Sequence, residues 1–78
     1  MNEDKRIQQT LGGMLRGRRL RKDFSQRGFA KHIGLDRSYY AKIEKGKADI
    51  SFSTLRRICK GLRMKMYVFV KRVEKQLS

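Results

Sequence analysis

Along most of the 78-residue chain, apolar residues return every three to four positions with polar side chains between them, the spacing of amphipathic helices. Ile7, Leu11, Met14 and Leu15 form one such face, on a helix expected to end near Asp23. Phe29, Ala30 and Ile33 form a second, Tyr40 and Ile43 a third, and Leu55, Ile58, Cys59 and Leu62 a fourth. The punctuation agrees with the pattern. Ser25 and Asp36 are N-caps, Gly34 and Gly46 stand where helices end in the left-handed conformation, and Ser51 or Ser53 caps the fourth helix. Residues 1–6 are polar and read as a flexible N-terminus. Beyond Leu62 the pattern is ambiguous. Met64, Met66, Val68 and Val70 alternate with Lys65, Tyr67, Phe69 and Lys71 as in a strand, whereas Met66, Phe69, Val70, Val73 and Leu77 fit a helix. With no N-cap between Leu62 and Met66, the strand is preferred. The architecture expected is mainly α, with helical faces over 7–62 and residues 63–78 as a C-terminal dimerisation segment.

The interval between the second and third helices is too short for anything but a sharp bend. Two short helices joined through a glycine form the helix-turn-helix arrangement, whose second helix usually enters the DNA major groove. At about 100° per residue, Arg37, Ser38, Ala41 and Lys42 fall on the face away from Tyr40 and Ile43. Arginine donates two hydrogen bonds to guanine O6 and N7, serine pairs with several bases, and alanine leaves room for both. On an isolated amphipathic helix such a face is more often merely solvated; the preceding helix and turn favour base contacts from Arg37, Ser38 and Lys42. After this helix, Lys45 and Lys47 form a basic loop that can clamp phosphate oxygens, with Lys47 the preferred clamp.

The residues Leu11, Gly12, Leu15, Arg19, Phe24, Ser25, Gln26, Phe29, Ala30 and Gly34, then Arg37, Ser38, Tyr39, Ile43, Glu44 and Gly46, and finally Leu55, Ile58 and Leu62, resemble the lambda-repressor-like (Cro and XRE-type) regulators of bacteria and phages. The resemblance runs in register from 11 to 62. It implies a four- or five-helix DNA-binding domain, phosphate contacts from Ser25, Gln26 and Tyr39, base contacts from Arg37, Ser38 and Lys42, and an internal ion pair between Arg19 and Glu44. Gly28 and Ile50 depart from the family pattern, which often has an acidic residue at the first position and a proline at the second.

Composition sharpens the partner. Twenty-one Lys and Arg against 7 Asp and Glu give a formal charge of +14, far beyond what solubility requires. The partner expected is a polyanion, nucleic acid first; an acidic membrane surface follows on composition alone. A chain this small buries a modest core, so oligomerisation is the expected support. A two-fold dimer through Met66, Val68, Phe69 and Val70 would cover the apolar residues left over after Leu62. The single cysteine, Cys59, reads as a small core residue, and His32 has no second ligand at metal spacing, so neither a metal, a cofactor nor catalysis is expected. No stretch approaches the roughly 18 apolar residues of a membrane span, and no signal peptide opens the chain, so the cytoplasm of a bacterium or phage-infected cell is the expected location. The leading function is a sequence-specific double-stranded DNA-binding regulator, homodimeric on a palindromic operator: a phage repressor, a restriction-modification controller or an autorepressing antitoxin. The alternatives are an antitoxin-type module that neutralises a toxin partner through 64–78, and a non-specific RNA- or membrane-binding basic domain.

Overall fold

In the computed structural model, which describes residues 2–78, five helices follow one another: α1 (Glu3–Arg21), α2 (Gln26–Ile33), α3 (Arg37–Glu44), α4 (Phe52–Gly61) and α5 (Met66–Leu77). Local chemistry sets nearly every boundary. The Asn2 side chain accepts from the Lys5 amide at 2.8 Å, and Glu3 and Asp4 in the first turn complement the helix dipole, so α1 begins four residues before Ile7 and takes in most of the segment expected to be flexible. Ser25 caps α2 through the Gly28 amide at 2.9 Å, Asp36 caps α3 through Tyr39 at 3.0 Å, and Ser51, rather than Ser53, caps α4 through Thr54 at 3.1 Å.

The first four helices close with one backbone device. The amides of Phe24, Leu35, Lys47 and Met64 each reach back five residues to a carbonyl, across a residue with positive φ. Gly34 and Gly46 fill that position after α2 and α3, with φ of 72° and 71°; Asp23 and Arg63 fill it after α1 and α4, with φ of 60° and 57°. Glycine is at ease there, whereas a side chain in the left-handed region costs about 1–2 kcal/mol.

Leu15, Phe29, Tyr40, Ile43, Ile58, Leu62 and Phe69 form the centre of the core. Phe29 of α2 meets Tyr40 of α3 edge to face at 5.3 Å, which fixes the two motif helices against each other. Gly12 lets α1 lie directly on α3: a Cβ there would fall inside contact range of the Ile43 carbonyl oxygen and 2.6 Å from that of Glu44.

The last segment corrects the expectation of a strand. Residues 66–77 are helical, and no strand occurs among the described residues. Phe69 and Val73 are buried, and Met66 and Leu77 pack against the same core, a set spaced for a helix lying on α1 and α4. The absent N-cap is real, because Lys65 makes no side-chain capping bond. That omission costs about 1 kcal/mol, less than the roughly 1.5–3 kcal/mol gained on burying Phe69 alone. A lone strand would also have left its backbone groups unpaired, whereas a helix satisfies them internally. The bundle is therefore closed by α5, not complete before it.

Candidate nucleic-acid interface

The presentation of α3 depends on a buried tie beneath it. Arg19 on α1 donates through Nε to Glu44 Oε2 at 2.7 Å and through Nη2 to Oε1 at 3.0 Å, with side-chain exposures of 6% and 1%. The third guanidinium nitrogen donates to the Phe24 carbonyl at 2.7 Å, and Gln26 Nε2 donates to Glu44 Oε1 at 2.9 Å. One carboxylate thus fastens α1, the start of α2 and the end of α3. Burial pushes the Glu44 carboxyl up, but the hydrogen bonds of Arg19, the dipole of the nearby Tyr40 hydroxyl, the Gln26 hydrogen bond and the guanidinium charge outweigh it and hold the group below its usual 4.5. The same bonds to Glu44 prevail over burial at Arg19 and raise its pKa. The Tyr40 hydroxyl, buried beside the pair, meets no described partner at ordinary hydrogen-bonding geometry, and burial first, then the Glu44 carboxylate, keep it protonated far above the usual phenol range.

Above this tie the outer side of α3 carries Arg37, Ser38 and Lys42, all exposed and none hydrogen-bonded through its side chain to a described residue, with half-buried Ala41 among them. At the start of α2, Ser25 Oγ accepts from Gly28 and keeps its own proton to donate outward. The first amides of α2, at Gln26 and Arg27, have no carbonyl one turn back, so this helix end offers donors to an anion. Two residues expected at phosphates are also committed inward. The Gln26 side chain is tied to Glu44, and the Tyr39 hydroxyl donates to the Asp49 carbonyl at 3.1 Å.

Lys45 and Lys47 are exposed on the turn after α3, and that turn is braced from both sides. Gln8 on α1 donates to the Asp49 carboxylate, Tyr39 holds the Asp49 backbone, and Gly46 lies so close to Gln9 that a Cβ would be 2.6 Å from its Cα. Gln8 and Asp49 were not among the residues singled out from sequence. Their pairing spans 41 positions of an otherwise polar surface, and no local pattern announces it.

Of the expected dimer residues, Met66 and Val70 line one groove between α4 and α5. Phe69 is 1% exposed and belongs to the core, which corrects its assignment to an interface, and Met66 and Val68 are half-buried. Among the exposed large apolar residues, Phe52 at the start of α4 and Tyr67 on α5, at 73% and 71%, stand together with Val70. They line an open groove of about 720 Å³ between α4 and α5, rimmed by Arg56, Lys60 and Lys65 and by no carboxylate. Cys59 lies at its base, 1% exposed, with burial pushing its thiol up to about 11. His32 stacks on Phe24 at 5.2 Å. Among the described residues no cluster of His, Cys, Asp and Glu could hold a metal ion, and no helix is long and apolar enough to cross a membrane.

Two short capped helices at a glycine turn, the second locked from below and bare and basic above, define a helix-turn-helix nucleic-acid-binding domain. Residues 15–69 match the family described as helix-turn-helix. The control protein C.MunI of a Mycoplasma species is 39% identical over 59 residues, covering 76% of this chain and 80% of that protein. The chain belongs to the helix-turn-helix family of Cro- and XRE-type regulators. Among solved structures, the restriction-modification controller C.AhdI from Aeromonas hydrophila superposes with a TM-score of 0.81 at 26% identity, over 87% of this chain and 99% of that one. The controller C.Esp1396I, solved as a tetramer with its natural 35 base-pair operator, matches with a TM-score of 0.79 at 28% identity, over 88% and 91% of the two chains.

Proposed function

We propose that the protein is a sequence-specific double-stranded DNA-binding transcriptional regulator, a homodimer on an operator with two-fold symmetry, and within that class a restriction-modification controller. It acts by binding rather than catalysis, in the bacterial cytoplasm. The observation that carries this reading is the outward side of α3, where Arg37, Ser38 and Lys42 stand exposed without intramolecular partners on a helix fixed by a buried ion pair. The relatives' names supply the controller role.

In this reading Arg37, Ser38 and Lys42 read base edges. Ser25, the first amides of α2, Lys45 and Lys47 hold phosphates, while Gln26 and Tyr39 set the positions of α2 and of the loop and touch the backbone only secondarily. The second copy docks on the α4–α5 groove through Phe52, Tyr67 and Val70, a surface that keeps Met66 and Val70 of the set expected from sequence and leaves Phe69 to the core. A protomer measures 31 × 24 × 21 Å, so two placed side by side can present their α3 helices to successive major grooves, about 34 Å apart.

Selection of bound sites from random duplexes identifies the operator, and two variants then separate the roles. Arg37→Ala should cost about 1–3 kcal/mol on the selected duplex and flatten the preference at one base pair per half-site. Lys47→Ala should weaken all duplexes alike and lower the salt slope by about one unit per protomer. Equal losses of Arg37→Ala on selected and scrambled duplexes would make Arg37 a phosphate contact and refute the assignment. Tyr67→Asp should shift sedimentation to the monomer; an unchanged dimer would move the interface elsewhere.

A further inference from the structure

A second groove, of about 360 Å³, runs between α1 and α5. Its rim is cationic on both helices: Arg18 and Arg21 on α1, Arg72 and Lys75 on α5. None of the four makes a side-chain hydrogen bond or ion pair with a described residue, and no carboxylate lines the groove. Met14 and the edge of Phe69 form its floor. The groove takes no part in the DNA contacts proposed above. On α1, Gly12 and Arg19 face α3, whereas Met14, Gly17, Arg18 and Arg21 centre roughly 160° away around the helix.

Two glycines of α1, Gly13 and the groove-lining Gly17, relieve no close contact inside the molecule. A Cβ at Gly13 or Gly17 would meet nothing within 4 Å, in contrast to Gly12. Each lowers helix stability by about 1 kcal/mol relative to alanine, and neither relieves a contact or a positive φ. Gly17 lines the groove and leaves that wall open to a close approach from outside.

We infer that the α1–α5 groove is a docking site for an acidic amphipathic helix of a partner protein, held on the side of the molecule away from α3. Each rim carries its two cations at i and i+3, and carboxylates at i, i+3 and i+4 of a helix repeat at the matching distance of about 5–6 Å. Guanidinium groups hold carboxylates in paired hydrogen bonds. An apolar stripe between the acidic flanks lies on Met14, a part of the site that a phosphate backbone leaves uncovered, and the bare Gly17 lets the incoming backbone settle between the rims. A regulator so equipped holds DNA on one side and a second protein on the other.

The test uses the full chain saturated with its selected duplex, so that α3 is occupied. The probes are a capped 18-residue helical peptide with a leucine stripe flanked by glutamates, the same peptide with glutamine at every glutamate, and a short duplex lacking the operator. The glutamate peptide should shift the amide resonances of Gly17, Arg21 and Arg72 and leave those of Arg37 and Lys42 in place. Arg18→Gln combined with Arg72→Gln should weaken it about ten-fold. Gly17→Leu keeps every charge and favours the helix, so it should raise Tm while weakening the peptide by a similar factor; operator affinity should change less than about two-fold in either variant, the sites being on opposite sides of α1. Failure of the peptide to bind, equal binding of the glutamine peptide, or undiminished binding to Gly17→Leu would each overturn the proposal. Displacement of the peptide by the non-operator duplex, with the same groove amides moving, would make the groove a second nucleic-acid site and overturn it equally.

Discussion

Replacing Glu44 with alanine should unfold much of the protein's margin of stability. The carboxylate side chain is 1% exposed and accepts from Arg19 twice and from Gln26 once. Its removal leaves a guanidinium that is 6% exposed with only the Phe24 carbonyl for a partner, and it strands the Gln26 amide. Breaking a buried pair from one side costs about 3–5 kcal/mol, against less than about 1 kcal/mol for an exposed pair. At 0.05–0.15 kcal/mol per residue a domain of this size has roughly 4–12 kcal/mol in all, so the loss is about a quarter of the total or more. Each kcal/mol moves Tm by about 4–8 °C in a domain of 60–100 residues, which places the expected fall at about 12 °C or more. Thermal unfolding followed by circular dichroism reads it directly. Glu44→Gln retains shape and one acceptor and should fall between the two. Because the folded carboxyl titrates below its usual 4.5, its stabilisation is complete above that pH and is lost as pH falls through the lower folded value. The difference in stability between the native protein and Glu44→Gln should therefore be constant from pH 7 to 5 and shrink on further acidification. A loss under about 1 kcal/mol for Glu44→Ala, or a difference indifferent to acid, would show the pair to be a surface ornament and the seating of α3 to rest on apolar packing alone.

Three further substitutions test the backbone and the core. Arg63→Gly removes a side chain from the left-handed region and should stabilise by about 0.5–1 kcal/mol net of the added freedom of the unfolded chain, seen as a Tm higher by a few degrees; a lower Tm would show that the Arg63 side chain contributes more than its conformation costs. Gly12→Ala should destabilise by about 1–3 kcal/mol, because its Cβ meets backbone carbonyls of α3, while Gly13→Ala, one residue on and facing open space, should stabilise by about 1 kcal/mol; equal effects in urea unfolding would refute the close packing of α1 on α3. Tyr40→Phe deletes a buried hydroxyl without a well-placed partner and should leave stability unchanged or raise it slightly, whereas a loss above about 1 kcal/mol would show that the hydroxyl is hydrogen-bonded to Glu44.

How much of this was legible in the sequence depended on whether the signal was local. Ser25, Gly34, Asp36 and Gly46 act through neighbours three to five residues away, and each stands where its type requires. The bare side of α3 was equally readable, because Tyr40 and Ile43 define the inward side of a short helix and leave Arg37, Ser38 and Lys42 the other. Residues 64–70 misled because strand alternation and helical spacing share Met66 and Val70, and the missing cap at Lys65 favoured the wrong one. What decided the matter was a vacancy on α1 and α4 that only Phe69 and Val73 together could fill, a property of the assembled bundle and of no single stretch. Phe52 shows the same limit of local spacing. It is in step with Leu55 and Cys59 and by spacing belongs inside, yet it stands at the first position of α4, where the core has already ended.

The α4–α5 groove carries one more consequence. Two copies related by a dyad through Phe52, Tyr67 and Val70 bring Arg56, Lys60 and Lys65 of one chain toward the same cations of the other. Apolar contact draws the copies together while their net charge of +14 each drives them apart. In a dimer so built, added electrolyte should tighten the free pair and loosen the complex with DNA, pulling the two equilibria in opposite directions. In dilute salt the duplex itself would serve as the counterion that lets the proposed pair close, and subunits should meet on the operator more readily than in solution.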